Sequence, residues 1–191
     1  DRLGGSKPLA FGREILANQL KNLGPVGRAD LDRKLDEVVL APLALHNLVL
    51  RSLLASEHAA HTGRRIGLIP EIKHPSHFRR IGLPMEERLL QALAGHAYTR
   101  EEPVVIQSFE QANLRELRKH LGPSHRNIRL LQLLGPADTQ PGDALAAGKP
   151  TRYADLMTSE GLQDIAGYAD IIGPWTRLLI LVTEGGALGA P

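Results

Sequence analysis

The chain has 191 residues, enough for one ordinary domain with a hydrophobic core. Hydrophobic residues make up 42% of it and charged residues 23%, which excludes a disordered or fibrous protein. The net charge is only +2, and the short arginine pairs at 64–65 and 79–80 lack the interleaved aromatic residues that stack on bases. We therefore expect no nucleic acid partner.

The absence of cysteine means that the chain can form neither a disulfide nor a thiolate metal site. This composition fits a cytoplasmic as well as a periplasmic protein. No run approaches the roughly 20 apolar residues of a membrane span, and the first residues lack the basic-then-apolar pattern of a signal peptide. We expect a soluble chain from which any signal peptide has been removed or was never present.

Two kinds of sequence pattern meet near residue 57. Residues 8–61 carry apolar side chains at helical spacing. Beyond them, short apolar runs alternate with amphipathic segments, which is typical of a parallel sheet built from βαβ units. We therefore divide the chain into a helical segment, 1–56, and an α/β domain, 57–191.

The α/β part is predicted to contain four strands, at residues 66–72, 104–109, 128–134 and 170–174. A helix opened by Pro84 is predicted to carry Met85, Leu89, Leu90, Leu93 and Ala97 on one face. Ser108 and Gln111 have the spacing of a capping box before a helix with a buried leucine stripe. The Gly/Pro-rich segment 135–150 is too long for a minimal connector, so it is either functional or mobile. Helical turns are predicted within 151–167.

Glu71 and Lys73 end the first predicted strand. In a parallel barrel such strand ends point into the active-site mouth. A carboxylate there can bind a hard divalent cation, and a nearby ammonium can hold a phosphate oxygen. The pair therefore suits metal-assisted phosphoryl chemistry. The alternative is a strand-end salt bridge.

Two further polar or aromatic residues end other strands. Gln107 can orient a phosphate or a substrate hydroxyl, or it can be a polar residue of the barrel interior. Trp175 follows the fourth strand and can wall a substrate pocket or anchor packing. The histidines show no catalytic motif: Pro75 separates His74 from His77, and His58 and His61 have helical spacing without an acidic partner. We assign no catalytic residue.

Several strings of the α/β part agree, in order, with one known family. They are 63–75, 81–84, 103–110, 113–117, 168–175 and 189–191. Through Gly67-Leu68-Ile69-Pro70-Glu71-Ile72-Lys73 and the later Gln107-Ser108-Phe109, the chain resembles the middle of bacterial glycerophosphodiester phosphodiesterases. The likeness covers residues 57–191, about two thirds of the chain.

The resemblance implies a fold and an activity. The fold is a TIM-like (β/α) barrel, here incomplete, preceded by the helical segment. The activity is metal-dependent hydrolysis of glycerophosphodiesters, small-molecule substrates of glycerol and lipid metabolism, to glycerol 3-phosphate and an alcohol. The resemblance implies that Glu71 is a ligand of the divalent metal, Ca²⁺ or Mg²⁺, and that Lys73, Gln107 and Trp175 lie beside the phosphate or the substrate.

The motifs that open the active site of that family are missing. The family has a His-Arg-Gly strand end, a Glu-x-Asp metal pair and a His-Asp motif, and none of them occurs in place here. Its histidines act as general base and acid, so we expect this chain alone to have little or no activity. A truncated or frame-shifted gene is the favoured explanation, ahead of a degenerate relative or a domain fusion.

Several consequences remain expectations. The alternative function is a noncatalytic phosphate-binding or interaction protein derived from the same barrel. An open barrel edge favours self-association. The resembling subgroup is often periplasmic, so we expect a periplasmic or secreted protein, with a cytoplasmic one as the alternative.

Overall fold

A computed structural model describes Leu48, residues 51–180 and Leu188. The helical pattern predicted before residue 48, and the chain end at 189–191, lie outside the described residues. The division at residue 56 stays a prediction. Among the described residues, no helix is both long and apolar enough to cross a membrane.

Helices precede, separate and follow the three strands of the described chain. The first helix, α1, runs through residues 51–62. The other α-helices are α2 (Pro75–Arg80), α3 (Glu86–Ala94), α4 (Ala97–Glu101), α5 (Gln111–His120), α6 (Gly142–Ala146), α7 (Tyr153–Leu156), α8 (Ser159–Ala166) and α9 (Thr176–Leu179). The strands are β1 (Val104–Ser108), β2 (Ile128–Leu134) and β3 (Ile171–Pro174), and a 3₁₀ turn, Pro123–His125, precedes β2.

The three strands form one parallel sheet in the order β1-β2-β3. Val104 is opposite Ile128 in the first pairing, and Leu131 is opposite Ile171 in the second. The prediction of consecutive parallel strands is confirmed for these three. The sheet is consistent with an incomplete α/β barrel, and the barrel itself stays a prediction.

The segment 66–72 lies beside β1 in parallel orientation but forms only two isolated bridges, Leu68 to Val104 and Glu71 to Gln107. Both bridges share one register. The ladder also contains the hydrogen bonds from the Leu68 N–H to the Pro103 oxygen (3.0 Å) and from the Ile72 N–H to the Gln107 oxygen (2.9 Å). The rung between them would need an N–H at residue 70, and Pro70 has none. The predicted strand is therefore interrupted by one missing donor.

One face of the sheet is buried beneath the helices. Alternate residues of β1 and β2, such as Ile106 and Leu130, are fully buried in one cluster with α3, α5, α7 and α8. The leucine stripe predicted for the helix after β1 is confirmed, since Leu114 and Leu117 are fully buried. The opposite face, here called the open face, carries partly buried residues of all three strands. They are Val105, Gln107, Leu131, Leu133 and Ile171.

Three local predictions need correction. The helix near Pro84 begins at Glu86 and ends at Ala94. Ala97 belongs to the next helix, α4, because the extended backbone of His96 (φ −114°, ψ 130°) separates the two helices. The capping box is wrong because the N-cap of α5 is Glu110, and the Ser108 hydroxyl accepts the Glu110 N–H (3.2 Å).

The third correction concerns the segment 135–150, which contains α6. The helical turns predicted within 151–167 are confirmed as α7 and α8. Strand β2 has the predicted bounds, while β1 ends one residue earlier than predicted and β3 begins one residue later.

Candidate functional site

The polar residues singled out in the sequence lie at the carboxyl ends of neighbouring parallel strands. Glu71 is opposite Gln107, and the Gln107 N–H donates to the Pro70 oxygen at 2.9 Å. Residues paired in this way point to the same face, and their strands are about 4.8 Å apart. Both side chains therefore belong to the open face.

Glu71 and Lys73 also share that face, because they are two residues apart in an extended segment. Their side chains form an ion pair, with 3.5 Å between the Lys73 Nζ and the Glu71 Oε2. The Glu71 side chain is 23% exposed and that of Lys73 71% exposed. Ile72, between them, is buried in the core cluster. The salt bridge considered as the alternative is therefore present, and it leaves most of Lys73 accessible.

A cavity of about 840 Å³ brings three of the predicted residues together. Glu71, Lys73 and Gln107 line it, together with residues 66–70. Helix α1 contributes Arg51 and His58 to the same lining. Sequence reasoning missed Arg51 because it stands outside every motif, and the seven-residue spacing of Arg51 and His58 is the only sequence signal that places them on one helical face.

Trp175 does not line this cavity. It follows β3, and its backbone N–H donates to the Leu134 backbone oxygen at 2.8 Å. The residue is 44% exposed, and the Arg177 guanidinium lies 5.6 Å from the centroid of its ring. Three strand spacings separate β3 from the segment of Glu71, which is about 14 Å. Trp175 thus lies at the carboxyl ends of the strands, like the other residues, but outside their cavity.

A smaller cavity of about 370 Å³ lies at the same strand ends. Glu71 and Lys73 contribute to it, and Gln140 of the loop after β2, together with Tyr153, forms another part of its lining. Tyr153 is only 5% exposed, and its hydroxyl donates to the Phe109 oxygen at 3.4 Å. Burial, with the negative charges of Asp143 and Glu110, raises the pKa of Tyr153 to about 12. Its hydroxyl therefore stays protonated at neutral pH.

A buried glutamine supports the end of β1 from the helical side. Gln132 is fully buried, and its amide nitrogen donates to the backbone oxygens of Phe109 (3.2 Å) and Leu133 (2.9 Å). Its side-chain oxygen accepts the Tyr168 hydroxyl at 2.9 Å. Burial raises the pKa of Tyr168, so that hydroxyl remains a donor. The network holds the chain in place where β1 leaves the sheet.

The donor chemistry of the larger cavity suits a hard cation only in part. The Glu71 carboxylate and the Gln107 amide oxygen are ligand types that Ca²⁺ and Mg²⁺ prefer, but Ca²⁺ takes six to eight oxygen ligands. Among residues 51–180 and the two isolated described positions, no group of three or more histidine, cysteine, aspartate or glutamate side chains could hold a metal ion. Glu71 and Gln107 would therefore supply only part of the ligands that such an ion needs.

Polar side chains grouped at the carboxyl ends of parallel strands define the place where α/β proteins bind ligands. No family model matches the chain. Over 124 residues, the chain is 31% identical to a glycerophosphodiester phosphodiesterase of Treponema pallidum (strain Nichols), covering 62% of this chain and 35% of that protein.

A second curated relative carries the same name. Over 124 residues, the chain is 26% identical to the glycerophosphodiester phosphodiesterase of Haemophilus influenzae (strain ATCC 51907 / DSM 11121 / KW20 / Rd), covering 62% of this chain and 34% of that protein. The chain thus spans about a third of the length of the curated relatives it matches. The resemblance inferred from the motifs is confirmed over that part.

Proposed function

We propose that this chain is part of a protein that hydrolyses glycerophosphodiesters to glycerol 3-phosphate and an alcohol with the help of a divalent metal, Ca²⁺ or Mg²⁺. The observation that carries the proposal is the similarity to two proteins named glycerophosphodiester phosphodiesterase. The meeting of Glu71, Lys73 and Gln107 around one cavity supports it.

Each of these residues has a role suited to its chemistry. Lys73, mostly exposed at the cavity, would hold a phosphate oxygen as a compact positive charge. The Gln107 amide would donate a hydrogen bond to the phosphate or to a substrate hydroxyl. Glu71 would be one ligand of the metal, whose charge would stabilise the phosphate oxygens during cleavage.

Trp175 is proposed as a residue of the substrate region outside the larger cavity. The fold proposed for the whole protein is a TIM-like barrel to which the described strands contribute one part. No general acid or base is assigned in this chain, so the proton transfers would need residues that the chain does not supply.

The proposal is tested by measuring glycerol 3-phosphate release from glycerophosphocholine with Ca²⁺ or Mg²⁺. A search of the adjoining DNA for a His-Arg-Gly codon run in another frame identifies the longer protein to assay beside this chain. We expect turnover by the longer protein, loss of turnover with a chelator, and a loss of at least about a hundredfold with Glu71→Gln.

This chain alone should be inactive or nearly so. A longer protein that binds glycerol 3-phosphate but cleaves no glycerophosphodiester with either metal would contradict the proposed activity and favour a noncatalytic phosphate-binding protein. Glu57→Gln, on the exposed side of α1 and outside the cavity, is the matched control for the charge change.

A further inference from the structure

The larger cavity has cationic groups that the resemblance does not assign. Arg51 and His58 are two turns apart on α1, on the same side of the helix, and both line the cavity. Helix α1 buries Ser52 and Ala55, and Ala55 lies between Arg51 and His58 on the side that lines the cavity. The Ser52 hydroxyl donates to the Leu48 oxygen at 2.8 Å. Leu48 belongs to the core cluster, so packing places Arg51 and His58 at the cavity.

The charges around this cavity favour an anion. Arg51 and Lys73 are positive, and among the described residues Glu71 is the one carboxylate in the lining. That carboxylate is already paired with Lys73. Within the described part of the chain, the Arg51 guanidinium and the His58 imidazole make no hydrogen bond or ion pair, so their donors are available to a ligand.

We propose that Arg51 and His58 are phosphate-binding residues, and that with Lys73 they hold the phosphate of a glycerophosphodiester or of its glycerol 3-phosphate product. The inference rests on the proposed function for the identity of the ligand. A guanidinium binds two phosphate oxygens at once, and an imidazole adds one directed donor. The volume of the cavity is in the range of small-molecule sites, so it can accept more than the phosphate.

The remaining lining explains why a phosphate ester fits better than a free inorganic anion. Leu54, Ile66 and Ile69 are exposed apolar residues that line the same cavity. They offer the non-phosphate part of a ligand an apolar surface, whereas a free phosphate ion would use only the polar side. Glycerol 3-phosphate should therefore bind more tightly than inorganic phosphate.

The test is a titration of this chain with glycerol 3-phosphate and, separately, with inorganic phosphate. Binding is monitored through the NMR signals of the backbone amides and the histidine side chains. We expect the His58 resonances to move and the His61 resonances to stay. Arg51→Gln and His58→Gln should each weaken glycerol 3-phosphate binding about tenfold, the effect of losing one charge-assisted hydrogen bond. Arg51→Lys should keep part of the affinity because it keeps the charge.

The matched control is His61→Gln, which changes an exposed histidine of the same helix that does not line the cavity. Thermal melting of each variant shows whether it is folded. If Lys73→Gln abolishes binding while Arg51→Gln and His58→Gln leave it unchanged, the inference is wrong and the proposed function stands. If the unaltered chain binds neither ligand, the inference is also wrong, and the turnover assay judges the proposed function separately.

Discussion

Glu71 and Gln107 are direct neighbours across two parallel segments, and their pairing is enclosed by two hydrogen bonds of 2.9 Å, one to the Pro70 oxygen and one from the Ile72 N–H. This backbone arrangement, rather than a contact between the side chains, makes the carboxylate and the amide face the same cavity. The missing donor at Pro70 lies immediately before the pair. The strand nevertheless resumes in register for Glu71.

The first prediction concerns metal binding at Glu71. Calorimetric titration of this chain with Ca²⁺ should give weak binding, with a Kd on the order of 1 mM or higher, because one carboxylate and one amide leave most of the coordination sphere to water. Glu71→Gln should abolish the binding, and Glu57→Gln should not change it. Tight binding that survives Glu71→Gln would place the metal site elsewhere.

The second prediction concerns the buried pair Gln132 and Tyr168. Gln132→Leu should destabilise the chain by about 2–4 kcal/mol, because it removes the buried hydrogen bonds to the Phe109 and Leu133 oxygens and the 2.9 Å acceptor of the Tyr168 hydroxyl. Tyr168→Phe alone should cost about 1 kcal/mol. Urea unfolding of the single and double variants measures the coupling. Additive losses would show that the 2.9 Å hydrogen bond contributes nothing of its own.

The third prediction concerns stability at high pH. The pKa of Tyr153 is raised from 10.0 to about 12 in the folded chain, so its contribution is fully present below pH 10 and is lost as the pH rises to about 12. The folded state retains the proton that the unfolded state releases, so stability falls over this interval. Urea unfolding should show a smaller fall for Tyr153→Phe. An equal fall in both proteins would mean that Tyr153 is not the group responsible.

The fourth prediction concerns self-association through the open face. Ile69 is 62% exposed beside partly buried Val105, and its segment borders the sheet. Sedimentation velocity over a range of concentrations should show reversible association, and Ile69→Lys should reduce it. Leu145→Lys, at a position 67% exposed on α6, is the matched control and should have no effect. A monomeric chain that melts cooperatively would weaken the hypothesis of an incomplete barrel.

The strands were the most predictable part of the fold. Strand β2 is a continuous apolar run whose alternate residues are buried, and its bounds agree with the sequence pattern. The first residues of the helices were less predictable, because local hydrogen bonds determine where a helix begins. Ser108 shows this, since its hydroxyl donates to the Ile72 oxygen (3.3 Å) on the neighbouring segment instead of capping α5.

The candidate site was predictable only where strand position determined it. Glu71, Lys73 and Gln107 follow from their places at strand ends. Arg51 and His58 required the packing of α1, and Tyr153 required the path of the loop after β2. The positions of these three residues depend on contacts with parts of the chain that are distant in sequence.

The loop between β2 and α7 is tied down along its length. The Tyr153 N–H donates to the Thr139 oxygen (2.9 Å), the Ala154 N–H to the Ala137 oxygen (2.9 Å), and the Gln140 amide to the Lys149 oxygen (2.9 Å). A protease needs an extended, accessible stretch of backbone, so a brief digestion with trypsin should spare the bond after Arg152, whose backbone N–H donates to the Asp155 Oδ2 at 2.7 Å. Sites such as the one after Arg64, which is exposed and outside any helix or strand, should be cut earlier. The long segment is thus a folded wall beside the strand ends, and its resistance to digestion should outlast that of shorter connections.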